Sequence, residues 1–265
     1  SEDPPRITII TTIYENTDLE LLNILAASIS GQTVKVAEWI IVAHGAIKEK
    51  NIEKILSNSA RHWQADVIVE PKPLGIMGAM RRGLQKSTGE YILPVDADDI
   101  LTADAIQVIS CEIEKHAKPD LIYSDEDLLV EGEPTSPYFR SGFDPVMCLD
   151  SSYIWHLCAI KRESALSLSL YTDDAATWCH DWDSVMRVAD AGGRIIHVAE
   201  VLYHWRQHAG STTNKADVDP RSLESIRYIL ERHISKIPNP KNFYVAEWPI
   251  PRGARELYIA RHSND

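Results

Sequence analysis

The sequence predicts a mixed α/β fold on a doubly wound, mostly parallel central sheet with a helical and extended C-terminal tail. Two observations carry this. Apolar, β-branched runs alternate with amphipathic stretches through residue 124, and the acidic run Asp96-Ala97-Asp98-Asp99 stands directly after one of the apolar runs. That puts the acids at the C-terminal end of a strand, the edge where open α/β sheets bind ligands. A length of 265 residues suits one large domain or two small ones.

Arg6 to Ile13 reads as a first buried strand, and Tyr14-Glu15-Asn16 as the loop after it. Thr17 fits a helix N-cap with Glu20 three residues on, and Leu21, Leu22, Leu25 and Ile29 form the apolar face. No glycine separates this strand from this helix, which excludes a dinucleotide fingerprint or a P-loop. Trp39 to Val42 is a second strand, followed by Ala43-His44-Gly45 and a helix with Ile52, Ile55 and Leu56 on one side. Asp66 to Val69 is a third. A turn through Pro71, Lys72, Pro73 and Gly75 then leads into a helix ending near Gly89. Tyr91 to Val95 is the fourth strand and delivers the acids; Thr102 fits the cap of a helix through Ala105, Ile109 and Ile113.

After Leu121-Ile122-Tyr123-Ser124 the rhythm changes. A second acidic run, Asp125-Glu126-Asp127, precedes a hairpin-like Leu128-Leu129-Val130 with a turn at Glu131-Gly132. The aromatic segment from Pro137 to Pro145 suits a substrate-facing lid and a packed surface loop equally. Asp181 to Ala191 is a helix stopped by Gly192-Gly193, and Ile195 to Val198 and Val201 to Trp205 are short strands. Asp219-Pro220 starts a helix whose buried stripe is Leu223, Ile226 and Leu230, and two extended pieces around Tyr244 and Tyr258 follow. The expected division is a main domain over 1–217 and an extension over 218–265.

Charge and cysteine usage narrow the chemistry. Lys and Arg total 27 against 39 Asp and Glu, a net charge of -12, which speaks against a nucleic-acid surface. A nucleotide stays compatible, because a metal can bridge acids to phosphates. Cys111, Cys148, Cys158 and Cys179 stand singly, without zinc-knuckle or redox spacing, and fit a reducing cytoplasm. No apolar run approaches the roughly 18 residues of a membrane span, and the amino terminus is polar rather than signal-like. A module of a longer protein fits the chain equally well.

Close carboxylates repel one another unless a cation or a shared proton intervenes. Their oxygens suit Mg²⁺ or Mn²⁺ and leave sites open for substrate phosphates. Taken alone, the run reads equally as a solvated loop opening the next helix.

Ordered motifs tip that balance. Thr11-Thr12-Ile13-Tyr14-Glu15, Gly89-Glu90-Tyr91-Ile92 before Asp96-Ala97-Asp98-Asp99, His180-Asp181-Trp182-Asp183, and Leu202-Tyr203-His204-Trp205-Arg206-Gln207-His208 with Gly210-Ser211-Thr212 follow one another at family spacing. From about Ile7 to Thr213 the chain resembles the family 2 glycosyltransferases, similar to members that build bacterial surface polysaccharides. That resemblance implies the Rossmann-like GT-A fold and an inverting transfer of a hexosyl or deoxyhexosyl group. The donor would be a UDP-, dTDP- or GDP-linked sugar and the acceptor a saccharide or lipid-linked saccharide. The expected location is the cytoplasm, with peripheral association at the inner face of the cell membrane left open.

The resemblance also distributes roles. Asp98 would ligate Mn²⁺ or Mg²⁺, with His208 as second ligand and His204 as the alternative to it. Asp96 would contact the ribose or the metal shell, and Asp99 the sugar. Thr12, Tyr14 and Glu15 stand in the first nucleotide-contacting loop. Asp181 would be the general base for the acceptor hydroxyl. Asp125 and Glu126 match an acidic run that binds acceptor hydroxyls in relatives. Four departures from the pattern matter: His44 stands where an acid usually reads the base, Lys72 or Arg81 would meet a phosphate, His180 replaces an acid, and Trp155 replaces a glycine. Trp155, beside His156, would narrow the acceptor pocket or stack on a sugar. The alternative reading is a GT-A domain without catalysis that serves as a carbohydrate-binding or assembly module.

Overall fold

A computed structural model describes residues 4–47, 52, 64–207, 219–248 and 257–263. Strands β1 (Ile7–Tyr14), β2 (Glu38–His44), β3 (Gln64–Glu70) and β4 (Tyr91–Pro94) lie parallel in the order β3-β2-β1-β4. Helices α1 (Leu19–Ser30) and α2 (Gly75–Lys86) cover opposite faces: Leu22, Leu25 and Ile29 pack with Ile9, Trp39 and Ile41, while Met80 and Leu84 pack with Ile10. β2 is buried along its whole length for this reason, and its alternation is lost to a continuous apolar run.

Beyond β4 the sheet is mixed. The short β5 (Ile100–Leu101) and helix α3 (Ala105–Lys115) lead to β6 (Leu121–Val130), which forms a hairpin with β7 (Glu133–Tyr138). Helix α4 (Pro145–Asp150) precedes β8 (Cys158–Lys161), which runs antiparallel to both β4 and β6. Helix α5 (Arg162–Ser167), a 3-10 helix at Asp174–Cys179 and helix α6 (His180–Asp190) then bring the chain to β9 (Ile195–Arg206), parallel to β6 and antiparallel to β5. The two short strands expected around 195 and 201 are thus one strand, bent where its register on β6 shifts at Asp125.

Local chemistry explains the other departures. α1 is capped by Asp18 rather than Thr17: Asp18 accepts the Glu20 N–H at 2.9 Å, and the Thr17 hydroxyl accepts the Tyr14 N–H at 2.9 Å. α3 begins after Asp104, with no side-chain cap bond, and Thr102 instead donates to the Asp104 carboxylate at 3.1 Å. Of the helix expected from Ile52 to Leu56, Ile52 is buried in the core and the others lie outside the described residues. Gly89, at the turn into β4, has no room for a side chain: a Cβ would sit 2.7 Å from the Arg6 carbonyl oxygen and 2.6 Å from the Thr8 hydroxyl.

The described part of the tail packs on the domain. Helix α7 (Pro220–Lys236), capped by Asp219, shares a core with α6 through Ile226, Ile229 and Leu230 against Val185, Met186 and Val188. Ion pairs stitch the two helices: buried Asp183 accepts from Arg187 at 2.7 Å and from Arg232, and Asp190 pairs with His233 at 2.6 Å and Lys236 at 3.5 Å. A two-stranded ribbon of β10 (Phe243–Glu247) and β11 (Leu257–Arg261) completes the tail. No helix among the described residues is long and apolar enough to cross a membrane.

Candidate active site

A cavity of about 190 Å³ opens at the C-terminal ends of β1 and β4, where a parallel sheet presents its ligand edge. It takes Thr12 from β1, Asp96 from the exit of β4, Trp155 and His156 from the loop before β8, and His180 and Asp181 from the first turn of α6. Residues as far apart in sequence as Thr12 and Asp181 therefore share one cavity.

The acids after β4 differ in surroundings. Asp96 keeps 58% of its side chain exposed, whereas Asp99 is 1% exposed and fully engaged. Asp99 accepts the Tyr203 hydroxyl at 2.6 Å and the Arg206 N–H at 2.7 Å; the Arg206 Nε–H donates to the Asp98 carbonyl at 2.6 Å. Burial, then the negative charges of Asp96 and Asp98, push the Asp99 carboxyl up to about 8. Asp96 goes the other way: burial would raise it, but the hydrogen bond and charge of His156 hold it below the usual carboxylate range. The His156 imidazole sits 3.6 Å from Asp96 and 3.2 Å from Glu126 and stacks on Tyr203 at 4.7 Å. Burial disfavours its charge, yet these two acids outweigh burial and raise its pKa well above the ordinary histidine value.

One ligand atom each from Asp96, Asp99 and His156 lie within 4.8 Å of one another. The two carboxylates suit Mg²⁺ or Mn²⁺ and the imidazole favours Mn²⁺ of the two, and a proton held on His156 is what a divalent cation would displace. Of the metal ligands expected from the sequence, Asp98, His208 and Asp96, this set contains Asp96. Asp98 is part-buried beside it, and His208 lies outside the described residues. His204, the alternative to His208, is bonded to Asp127 at 2.6 Å.

Asp181 is 46% exposed on the cavity wall, 3.3 Å from the His180 ring nitrogen. Trp155 lines the same cavity, its indole N–H tied to Ser152 at 3.0 Å and its ring stacked with Tyr138 at 6.1 Å. Asp125 and Glu126 do not line it. Both are buried: Asp125 is bonded to His197 at 2.7 Å and to the Arg140 N–H at 2.8 Å, and Glu126 is paired with Arg140 at 2.8 Å. These contacts turn their oxygens toward protein partners and away from the cavity lining. Tyr14 and His44 meet in register at the ends of β1 and β2, their rings 6.4 Å apart, and His44 is held below its ordinary value by burial, against the opposing charge of Glu15. Lys72 is exposed before α2 and Arg81 half-buried on it; neither lines the cavity.

A profile of the family described as Glycosyl transferase family 2 matches residues 8–165, more than half of the chain. The chain belongs to this family. Among similar proteins, this family 2 glycosyltransferase is 26% identical to the uncharacterized protein y4gI of Sinorhizobium fredii over 97% of its length, and 24% identical to the O-antigen biosynthesis protein RfbC of Myxococcus xanthus over 88%. It spans only 28% and 18% of the lengths of those two proteins. Its fold matches that of residues 1–349 of S. aureus TarS in complex with UDP-GlcNAc, with a TM-score of 0.67 at 16% identity over 88% of this chain and 67% of that one. The GT-A fold expected from the motifs is therefore the fold of the chain, and its mixed second half is part of that fold.

The sequence missed Arg140 and the partners of His156. An arginine in an aromatic loop carries no local signal of burial, and its contacts are with Ser124, Tyr153 and His156, 13 to 16 residues away.

Proposed function

We propose that this domain transfers a sugar from a nucleotide-sugar donor to a saccharide or lipid-linked saccharide acceptor, with inversion, in the making of a cell-surface glycan. The observation that carries the reading is the joint presence of Asp96, at the exit of β4, and Asp181, at the start of α6, on one cavity. Asp181 takes the proton of the acceptor hydroxyl as its oxygen attacks the anomeric carbon. Mn²⁺ or Mg²⁺, held among Asp96, Asp99 and His156 with Asp98 and His208 as further candidate ligands, would supply Lewis-acid stabilisation of the leaving diphosphate.

In this reading Thr12, Tyr14, Glu15 and His44 would contact the nucleotide, Lys72 or Arg81, both outside the cavity lining, would have to reach a phosphate, and Trp155 would offer a face to the acceptor sugar. A lipid-linked acceptor would bring the domain to the inner face of the cell membrane. A purely carbohydrate-binding role has less support, since it makes no use of an exposed carboxylate at Asp181.

A thermal-shift screen of UDP-, dTDP- and GDP-sugars with and without Mn²⁺ tests the reading. A donor at a hundred times its dissociation constant stabilises by about 2.7 kcal/mol. Stabilisation that needs Mn²⁺, followed by transfer or slow hydrolysis of that donor, supports it. No response to any donor, with binding of free saccharide instead, favours the binding module.

A further inference from the structure

Arg140 has no exposed side-chain surface, and its hydrogen bonds hold the chain around it. Its Nε–H donates to the Tyr153 carbonyl at 2.6 Å, and Nη1 donates to the carbonyls of Ser124 and His156, both at 2.9 Å. Nη2 lies 2.8 Å from Glu126 Oε1, and the other Glu126 oxygen lies 3.2 Å from His156 Nδ1. The opposite ring nitrogen of His156 faces Asp96. Arg140 therefore grips His156 twice, directly at its backbone carbonyl and through Glu126 at its ring.

A buried arginine–glutamate pair is weak evidence for stability, because desolvation offsets most of its attraction and an apolar pair of equal volume packs as well. What an apolar pair cannot do is hold a carboxylate oxygen against one nitrogen of an imidazole whose second nitrogen enters a cluster of acids. In metal centres that arrangement fixes the tautomer and direction of the ligating ring. We propose that Glu126 and Arg140 are positioning residues: together they set the ring and backbone of His156 so that Nε2 joins Asp96 and Asp99 in holding the cation. This rests on the reading of that cluster as a cation site.

The test is Mn²⁺ affinity in the presence of UDP, read by electron paramagnetic resonance on the wild-type chain, Glu126→Gln, His156→Ala and the double variant, with melting curves alongside. Each single variant is expected to bind Mn²⁺ about 10–100-fold more weakly. The double variant should bind no more weakly than His156→Ala, because Glu126 acts through that ring. Where Glu126→Gln does not fold, Glu126→Gln/Arg140→Gln, which removes both charges together, takes its place. Arg140→Lys keeps the charge but not the fork that reaches both carbonyls and Glu126, and should fall between wild type and Glu126→Gln. Wild-type affinity in Glu126→Gln, or a further loss on adding it to His156→Ala, overturns the proposal and leaves the cation reading standing. A wild-type chain that binds no Mn²⁺ with UDP overturns both.

Discussion

Tyr203 donates its hydroxyl hydrogen to Asp99 at 2.6 Å, 104 residues earlier in the chain, and the same oxygen accepts the Asp96 N–H at 3.2 Å. One phenol on β9 thus fixes the loop that carries the acids.

The consequence is a pH dependence of definite sign. With its carboxyl raised to about 8, folded Asp99 keeps a proton that the unfolded chain releases above about pH 4. The native state then binds more protons, so the stability of the metal-free protein should fall as pH rises from about 4 to about 8 and level off above. Asp99→Asn should flatten that slope, and Mn²⁺ should stabilise the wild type more at pH 8 than at pH 5. Thermal unfolding across this range checks it; parallel curves for the two proteins would refute the assignment.

Much of the fold was legible because its signals are local. Asp219-Pro220 announced α7, the run Tyr91 to Val95 announced β4, and the alternation of strand and helix announced the parallel half of the sheet. Strand direction in the second half was not legible: β8 is only four residues long, and nothing within Cys158–Lys161 records that it will run antiparallel to β4. The acids and Asp181 were found from their motifs, whereas the placement of His156 between Asp96 and Glu126 depends on partners 30 or more residues distant. Side chains with such partners carry no periodic trace.

Asp181→Asn keeps the size and hydrogen bonding of the side chain but cannot accept a proton. Transfer should fall about 10²–10⁴-fold with the donor dissociation constant unchanged. Steady-state kinetics beside calorimetric donor binding would show this, and undiminished turnover would remove Asp181 from the role of base.

Asp183 lies two residues beyond the candidate base and binds Arg187 and Arg232 in a buried space. Asp183→Ala takes the carboxylate from buried Arg232 and leaves Arg187 only Asp173, 3.4 Å away, and should destabilise the protein by about 3–5 kcal/mol in urea unfolding. Breaking the exposed Glu90–Lys118 pair with Glu90→Gln should leave the midpoint nearly where it was.

Gly89→Ala would drive a methyl group into the Arg6 carbonyl and the Thr8 hydroxyl. The backbone on both sides belongs to paired strand ends and yields little, so a loss of about 1–3 kcal/mol is expected in the same urea assay. An unchanged midpoint would mean that the turn from α2 into β4 relaxes freely.

The buried ion pairs between α6 and α7 also bear on how the protein is made. Synthesis delivers the helix with Asp181 about forty residues before the one that neutralises its buried aspartates and completes its apolar cover, and nascent domains fold in the order they emerge. Until Arg232 leaves the ribosome, Asp183 lacks one partner and the apolar face of Val185, Met186 and Val188 lacks its lid. A ribosome paused between these helices should therefore hold a chain with a formed parallel sheet and an unanchored base.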